Sequence, residues 1–159
     1  MKPLILGEAP SKSGDKYYMF PLSGAVGQRL CVLAGLPSES GGSPYGRYYW
    51  PLAKRYELRN LLERYPGVKG RGAAFPYADA LEALRLIEPE LQGRTTVLLG
   101  RRLARLLGAP DEFFAWRQTT PSTWLTAIPH PSGLNRLYDS PEVRESASRV
   151  LQEALVCSG

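Results

Sequence analysis

TTVLLGRRLARLLG, residues 95–108, joins a strand pattern to a helix pattern through a single glycine. Its first five residues are β-branched or apolar, a pattern that favours a buried strand ending at Gly100. The residues that follow predict a helix closed by Gly108, because glycine is the commonest residue just past a helix end. A strand that passes directly into a helix is the repeating unit of a parallel α/β sheet.

The rest of the chain continues this alternation. Apolar runs predict strands at residues 2–6 and 124–128, whereas residues 56–62 fit a strand or a helix. Apolar positions at helical spacing predict helices over residues 24–35 and 77–88. We therefore expect an α/β protein: a three-layer α/β/α sandwich around a central, mainly parallel four-stranded sheet.

Two further signals complete this outline. Ser140 followed by proline is typical of a capped helix start, so a terminal helix is predicted there. Residues 37–46 are dense in Pro, Gly and Ser, which predicts a loop.

The composition is that of an ordinary globular protein. Of 159 residues, 43% are hydrophobic and 22% are charged, and this length predicts one domain over residues 1–159. No run approaches the ~20 apolar residues of a membrane span, and the first residues lack the apolar core of a signal peptide. We expect a monomeric, intracellular protein of the cytoplasm that makes no membrane contact.

The formal net charge of +5 suits a polyanionic partner without establishing one. Residues 47–71 interleave Lys and Arg with Tyr and Trp. Such a segment can contact phosphates and stack on bases. It fits equally well a solvated face above a tyrosine-lined core.

Two short motifs follow predicted strands. GEAPS, residues 7–11, offers turn N–H groups that can bind an anion or a base edge, while Glu8 either holds a water or caps the loop. HPSGLNR, residues 130–136, begins with the chain's single histidine, which two flanking prolines place on a rigid turn. Its Leu134 has no helix or strand pattern to bury it and could insert into a base stack. Because both motifs follow strands of a parallel sheet, they should face one crevice.

Together these motifs resemble those of the uracil-DNA glycosylase superfamily, which carries a Gly-x-x-Pro loop near its start and a His-Pro-Ser loop near its end. The likeness runs in order through GEAPS, SGAVGQRL, the asparagine in RNLL, TTVLLG and PHPSGLNR. The first motif is closest to the GEAP-type members, several of which hold an iron–sulfur cluster. The two cysteines here, Cys31 and Cys157, cannot supply four thiolates. We therefore expect no cluster, no metal and no other cofactor.

The resemblance implies a catalytic role for three residues. Glu8 would position the attacking water. Asn60 would read the uracil edge, because an amide can accept from N3–H and donate to O4, whereas cytosine presents the opposite pattern. His130 would donate to uracil O2 and stabilise the departing base as an oxyanion hole does.

The resemblance also implies which residues surround the base and the DNA. Those around the flipped base would be Gly7, Ala9, Pro10, Ser11, Phe20 and Leu22. Those on the DNA would be Ser132 at a phosphate, Leu134 in the gap left by the base, Arg136 on the backbone, and their neighbours Gly133 and Asn135.

Two positions depart from the family pattern. Leu22 stands where the family carries an aromatic residue that stacks on uracil, with Phe20 two residues earlier. Ala9 or Glu8 stands where several members carry an aspartate or asparagine that orients water.

The sequence thus predicts a glycosylase that removes a deaminated base, uracil by preference, from single- or double-stranded DNA. Two alternatives stay open: a module on the same scaffold that binds nucleic acid without cutting it, and a hydrolase of free nucleotides.

Overall fold

The strand and helix units fold in the predicted order. The structure, a computed structural model, describes residues 1–39, 46–69, 72–73 and 75–159. Its strands are β1 (Leu4–Gly7), β2 (Glu57–Asn60), β3 (Val68–Lys69), β4 (Gly72–Ala73), β5 (Thr95–Leu99), β6 (Arg117–Thr120) and β7 (Thr123–Ile128). Its helices are α1 (Ala25–Leu33), α2 (Gly46–Ala53), α3 (Tyr77–Leu91), α4 (Arg101–Leu107) and α5 (Pro141–Cys157), and 3-10 turns occupy Asp15–Tyr17 and Arg136–Asp139.

The TTVLL strand, β5, lies at the centre of the main sheet, whose order is β2-β1-β5-β7-β6. β1 pairs in parallel with both β2 and β5, and β5 pairs in parallel with β7. Every residue of β5 is buried, because helices cover both faces of a parallel sheet and leave no polar side.

The side chains of β1 and β5 alternate between two apolar layers, since successive residues of a strand point to opposite faces. Ile5, Val97 and Leu99 pack with residues of α1, α2 and α5. Leu6 and Leu98 pack on the other face with residues of α3 and α4. The three-layer α/β/α architecture is therefore confirmed.

The sheet has five strands, so the prediction of four was one too few. The missing strand, β6, pairs antiparallel with β7 at the edge. Its sequence, RQTT, is polar and all four residues are exposed. An edge strand with no buried side shows none of the apolar alternation that reveals a strand in a sequence.

The structure also shows which elements form in the segments that the sequence left ambiguous. Residues 56–62, which fitted either element, contain strand β2. In the basic and aromatic segment, residues 46–53 form α2, which the sequence did not predict and which contains Pro51. Residues 40–45 of the predicted loop lie outside the described residues.

The aromatic residues of this segment divide between core and surface. Tyr56 is buried and its hydroxyl donates to the Leu151 carbonyl at 2.9 Å, whereas Trp50 is 49% exposed. No helix in the described part of the chain is long and apolar enough to cross a membrane.

Candidate active site

Four parallel strands bring four chain segments to the carboxyl edge of the sheet. β1 ends at Gly7, β2 ends at Asn60, and β7 runs into the turn that carries His130. In the sheet register Gly7 lies beside Asn60, and Leu99, the last residue of β5, lies beside Ile128. The two motifs thus share the edge at which open α/β sheets bind ligands.

The first and last motifs meet over Gly100, which links β5 to α4. A Cβ atom on Gly100 would lie 3.5 Å from the His130 Cβ and 4.0 Å from Oε1 of Glu8. Gly100 has a φ of +98°, a value that side chains rarely permit. Glycine therefore lets the chain turn from strand to helix beneath these two side chains.

Glu8 is held by an arginine that the sequence analysis did not single out. Arg102, in the first turn of α4, donates from Nε to Glu8 Oε1 at 3.1 Å and from Nη2 to Oε2 at 2.7 Å. The Arg102 guanidinium also lies over the Phe75 ring, 5.1 Å from its centroid. This two-bond geometry fixes the plane of the carboxylate, which a single hydrogen bond would not do.

The environment of His130 favours the neutral imidazole. Burial lowers its pKa, the Glu8 carboxylate opposes that shift, and the Arg102 guanidinium adds to it. The His130 carbonyl accepts a hydrogen bond at 2.9 Å from Nδ2 of Asn135. At neutral pH the ring therefore provides one N–H donor and one acceptor.

Asn60 presents a buried acceptor that has no protein partner among the described residues. Its Oδ1 is shielded from solvent and forms no hydrogen bond there. A Cβ atom at Gly7 would lie 2.6 Å from this oxygen and 2.9 Å from the Leu22 Cδ2. An unsatisfied buried acceptor costs about 1–3 kcal/mol. Such a group requires a partner that the described residues do not supply, either water or a ligand.

Leu22 lies near Asn60, since its Cδ2 and the Asn60 Oδ1 would lie 2.9 and 2.6 Å from a Cβ atom on Gly7. Leu22 has a φ of +60°, a left-handed conformation that is strained for a leucine. The Phe20 ring packs edge-on against Tyr49 and Trp50, with centroids 5.2 and 6.0 Å apart. At the position where the resemblance implied an aromatic residue, an aliphatic side chain thus lies near the amide.

The remaining residues of GEAPS have small side chains and differ in their exposure to solvent. Ala9 and Pro10 are half-buried and Ser11 is exposed. The Ser11 hydroxyl accepts from the Gly14 N–H at 3.1 Å. That bond stabilises a local turn, so the side chain of Ser11 serves the loop.

The HPSGLNR loop presents one large apolar side chain to solvent. Leu134 is 94% exposed, and Gly133 and Arg136 beside it are exposed. Ser132 is half-buried. Asn135 accepts from the Leu137 N–H at 3.1 Å in addition to its bond to the His130 carbonyl, so its amide braces the loop internally.

A second arginine missed by the sequence analysis supports this loop from α1. The Arg29 guanidinium donates to the carbonyls of Ser132 and Asn135 at 3.1 and 3.4 Å. It also lies 4.8 Å from the centroid of the Tyr138 ring. No local sequence pattern predicts such contacts, because the partners are more than 100 residues apart in the sequence.

A cleft of about 850 Å³ opens beside Asn60. Tyr18 and Arg64 form part of its wall, with the guanidinium 4.4 Å from the centroid of the tyrosine ring. Arg64 also pairs with both carboxylate oxygens of Asp15, at 3.0 and 2.8 Å. This pairing and the Tyr65 N–H lower the pKa of Asp15 from 3.8 to about 2.

The described residues contain no cluster of three or more His, Cys, Asp or Glu side chains that could hold a metal ion. Comparison with the models of known protein families and with curated proteins finds no match to this chain. A functional assignment therefore depends on the chemistry of the site itself.

Proposed function

We propose that the protein is a DNA glycosylase, which flips a deaminated base, uracil by preference, out of DNA and hydrolyses its N-glycosidic bond. The observation that carries the proposal is the buried Oδ1 of Asn60 at the carboxyl edge of the sheet, which has no hydrogen-bond partner among the described residues. Glu8 and His130 meet across the end of the neighbouring strand β5. An amide oxygen that can accept a hydrogen bond, a carboxylate and an imidazole thus lie at the carboxyl edge of the sheet.

Selection of the base follows from the hydrogen-bonding pattern of Asn60. Its Oδ1 accepts the N3–H of uracil, and its NH₂ group donates to O4. Cytosine offers an acceptor at N3 and a donor at position 4, so both contacts become repulsive. Entry of uracil also gives the buried oxygen its missing partner, which stabilises the flipped state.

Bond cleavage uses the other two side chains. The bond between C1′ and the base nitrogen breaks with its electron pair on the base, and His130 donates an N–H to the developing charge at O2. Water held by Glu8 adds to C1′, and its proton passes to the carboxylate. The base leaves as its anion and takes up a proton from solvent as Glu8 releases the one it accepted, so the products are the free base and an abasic deoxyribose. A carboxylate has about four acceptor sites, so the two bonds from Arg102 leave room for that water.

The HPSGLNR loop supplies the contacts that keep the base extruded. Leu134, almost fully exposed, enters the gap in the base stack, and the Arg136 side chain contacts the backbone phosphates. The backbone N–H groups of the GEAPS turn line the base pocket from the other side.

The test is an incubation of the protein with end-labelled single-stranded and duplex DNA that carries one uracil, followed by alkali to cleave abasic sites. We expect strand cleavage at the uracil. His130→Ala should lower the rate on the order of 10²–10³-fold, the usual effect of losing one such donor. Asn60→Ala should lower it as well, and oligonucleotides with cytosine at the same position should stay intact.

Gln118→Ala is the matched control, because this amide lies on the edge strand β6 and donates to the Pro121 carbonyl. It should retain the full rate. Salt-dependent DNA binding without any abasic product would contradict the proposal and indicate a binding module. Release of uracil from a mononucleotide in preference to the oligonucleotide would indicate a hydrolase of free nucleotides.

A further inference from the structure

Three charged or ionisable side chains meet above Gly100. Glu8 comes from the loop after β1, Arg102 from the first turn of α4, and His130 from the turn after β7. The motifs account for Glu8 and His130 and leave Arg102 without a role.

We propose that Arg102 is a positioning residue, which holds the Glu8 carboxylate at the reaction centre and compensates the negative charge that Glu8 places beside His130. This inference rests on the proposed glycosylase function, and it names a residue that neither motif contains.

The geometry of the ion pair fixes the position of the Glu8 carboxylate. Both oxygens of Glu8 accept from one planar guanidinium, at 3.1 and 2.7 Å. The Glu8 side chain is only 16% exposed, whereas that of Arg102 is 45% exposed. The carboxylate is thus largely shielded from solvent and fixed at both oxygens, and the Phe75 ring against the guanidinium restricts the orientation of that group. A water on the free lone pairs of Glu8 then has a defined direction.

Arg102 also balances the charge around His130. The two charges that act on the imidazole have opposite signs: the Glu8 carboxylate raises the pKa of His130, and the Arg102 guanidinium lowers it. Two nearby arginine side chains, one on α1 and one on α5, donate hydrogen bonds to backbone carbonyls. Arg29 donates to the Ser132 and Asn135 carbonyls, and Arg144 donates to those of Tyr138 and Asp139.

A carboxylate alone beside His130 would favour the imidazolium and turn the acceptor nitrogen into a second donor. With Arg102 paired to Glu8, the site keeps a carboxylate for water and a neutral imidazole for the base. The two functions then coexist at one strand edge.

NMR titration tests the compensation directly, because His130 is the only histidine of the chain and its ring signals need no assignment by mutation. The variants are Arg102→Gln, Arg102→Lys and Glu8→Gln. We expect the pKa of His130 to rise in Arg102→Gln, to fall in Glu8→Gln, and to stay near the wild-type value in Arg102→Lys.

The control is Arg101→Gln, which removes the same charge from the same helix. Arg101 lies over the Phe113 ring and donates to the Asp111 carbonyl. Its loss should leave the titration of His130 and the rate of base release unchanged. An equal pKa shift in Arg101→Gln and Arg102→Gln would assign the effect to net charge and overturn the inference.

Kinetics test the positioning. In Arg102→Gln we expect kcat for uracil release to fall on the order of 10²-fold, as for a small misplacement of a catalytic group, with KM changed much less. The acid limb of the pH–rate profile should move upwards with the pKa of His130. Arg102→Lys should recover part of kcat, since it restores the charge without the two-bond geometry.

Different results would contradict the glycosylase function and the positioning role of Arg102. A wild-type protein that releases no uracil contradicts the proposed function, whereas the NMR titration still reports on the charge coupling. An active wild-type protein whose Arg102→Gln variant keeps both its kcat and its His130 titration overturns the inference alone.

Discussion

At the scale of single residues, the absence of a side chain at Gly7 is what allows Asn60 to occupy its position. The two residues are partners in neighbouring parallel strands, and a Cβ on Gly7 would overlap both the Asn60 Oδ1 and the Leu22 Cδ2. The smallest residue of GEAPS therefore shapes the amide pocket without contacting a ligand through a side chain.

Gly7→Ala should accordingly displace the Asn60 amide. We expect a loss of stability of about 1–3 kcal/mol from overpacking, measured by guanidinium unfolding, and a fall in uracil release on the order of 10²-fold. Gly133→Ala is the control for stability, since a Cβ there meets nothing within 4 Å. If Gly7→Ala matched wild type in both measurements, the packing of Asn60 against Gly7 would not matter to the site.

At the scale of elements, an ion pair connects the segment before α1 to the loop that follows β2. Asp15 accepts from Nε and Nη2 of Arg64 and from the Tyr65 N–H at 2.7 Å. Since Tyr18 and Arg64 line the cleft beside Asn60, this pair holds one wall of that cleft in place.

The pair should make stability depend on acid pH. The pKa of Asp15 is lowered from 3.8 to about 2 in the folded protein. The carboxylate therefore contributes its full stabilisation above pH 3.8 and loses it as the pH falls towards 2. The difference in melting temperature between wild type and Asp15→Asn should shrink over this interval.

Arg64→Gln offers an independent check of the same pair, because it removes the partner and leaves the carboxylate. Its melting temperature should differ less from that of wild type as Asp15 becomes protonated. A constant difference between pH 7 and pH 2 in both variants would show that the pair does not stabilise the fold.

At the scale of the whole molecule, Arg94 joins the amino ends of the four parallel strands, at the edge away from the candidate site. Its side chain is 6% exposed, pairs with Glu57 at the start of β2, and donates from Nε to the Lys2 carbonyl at 3.1 Å. The Arg94 carbonyl accepts from the Trp124 N–H of β7 at 3.1 Å. Strands distant in sequence are thus joined by one residue.

Glu57→Gln should destabilise the whole domain, because it weakens the pairing of a buried guanidinium. We expect a loss of about 2 kcal/mol in the free energy of unfolding, the usual scale for a hydrogen bond to a charged group. Glu90→Gln is the matched control: it breaks the more exposed pair with Arg59 and should cost about 0–1 kcal/mol. Equal losses in the two variants would contradict a structural role for Arg94.

The class of the fold and the order of β1, α1, α3, β5, α4, β7 and α5 were predictable from the sequence alone, whereas α2, β3, β4 and β6 were not. Strands buried on both sides, such as TTVLL, and helices with one apolar face carry their pattern in a few consecutive residues. The position of GEAPS and HPSGLNR at one edge follows from the same patterns, because the ends of parallel strands coincide. The prolines beside His130 restrict its backbone by purely local sterics.

Only the tertiary structure decided which side chains meet. The polar edge strand β6 has no periodic signal, because none of its residues enters the core. Arg102 contacts Glu8 across 94 positions of sequence. Leu22 and Asn60 meet at Gly7, and the Phe20 ring packs against Tyr49 of α2. Local propensity acts over one or two turns of chain, whereas ion pairs and ring contacts form between whatever the completed sheet brings together. The sequence therefore determined the scaffold and the folded chain determined the site.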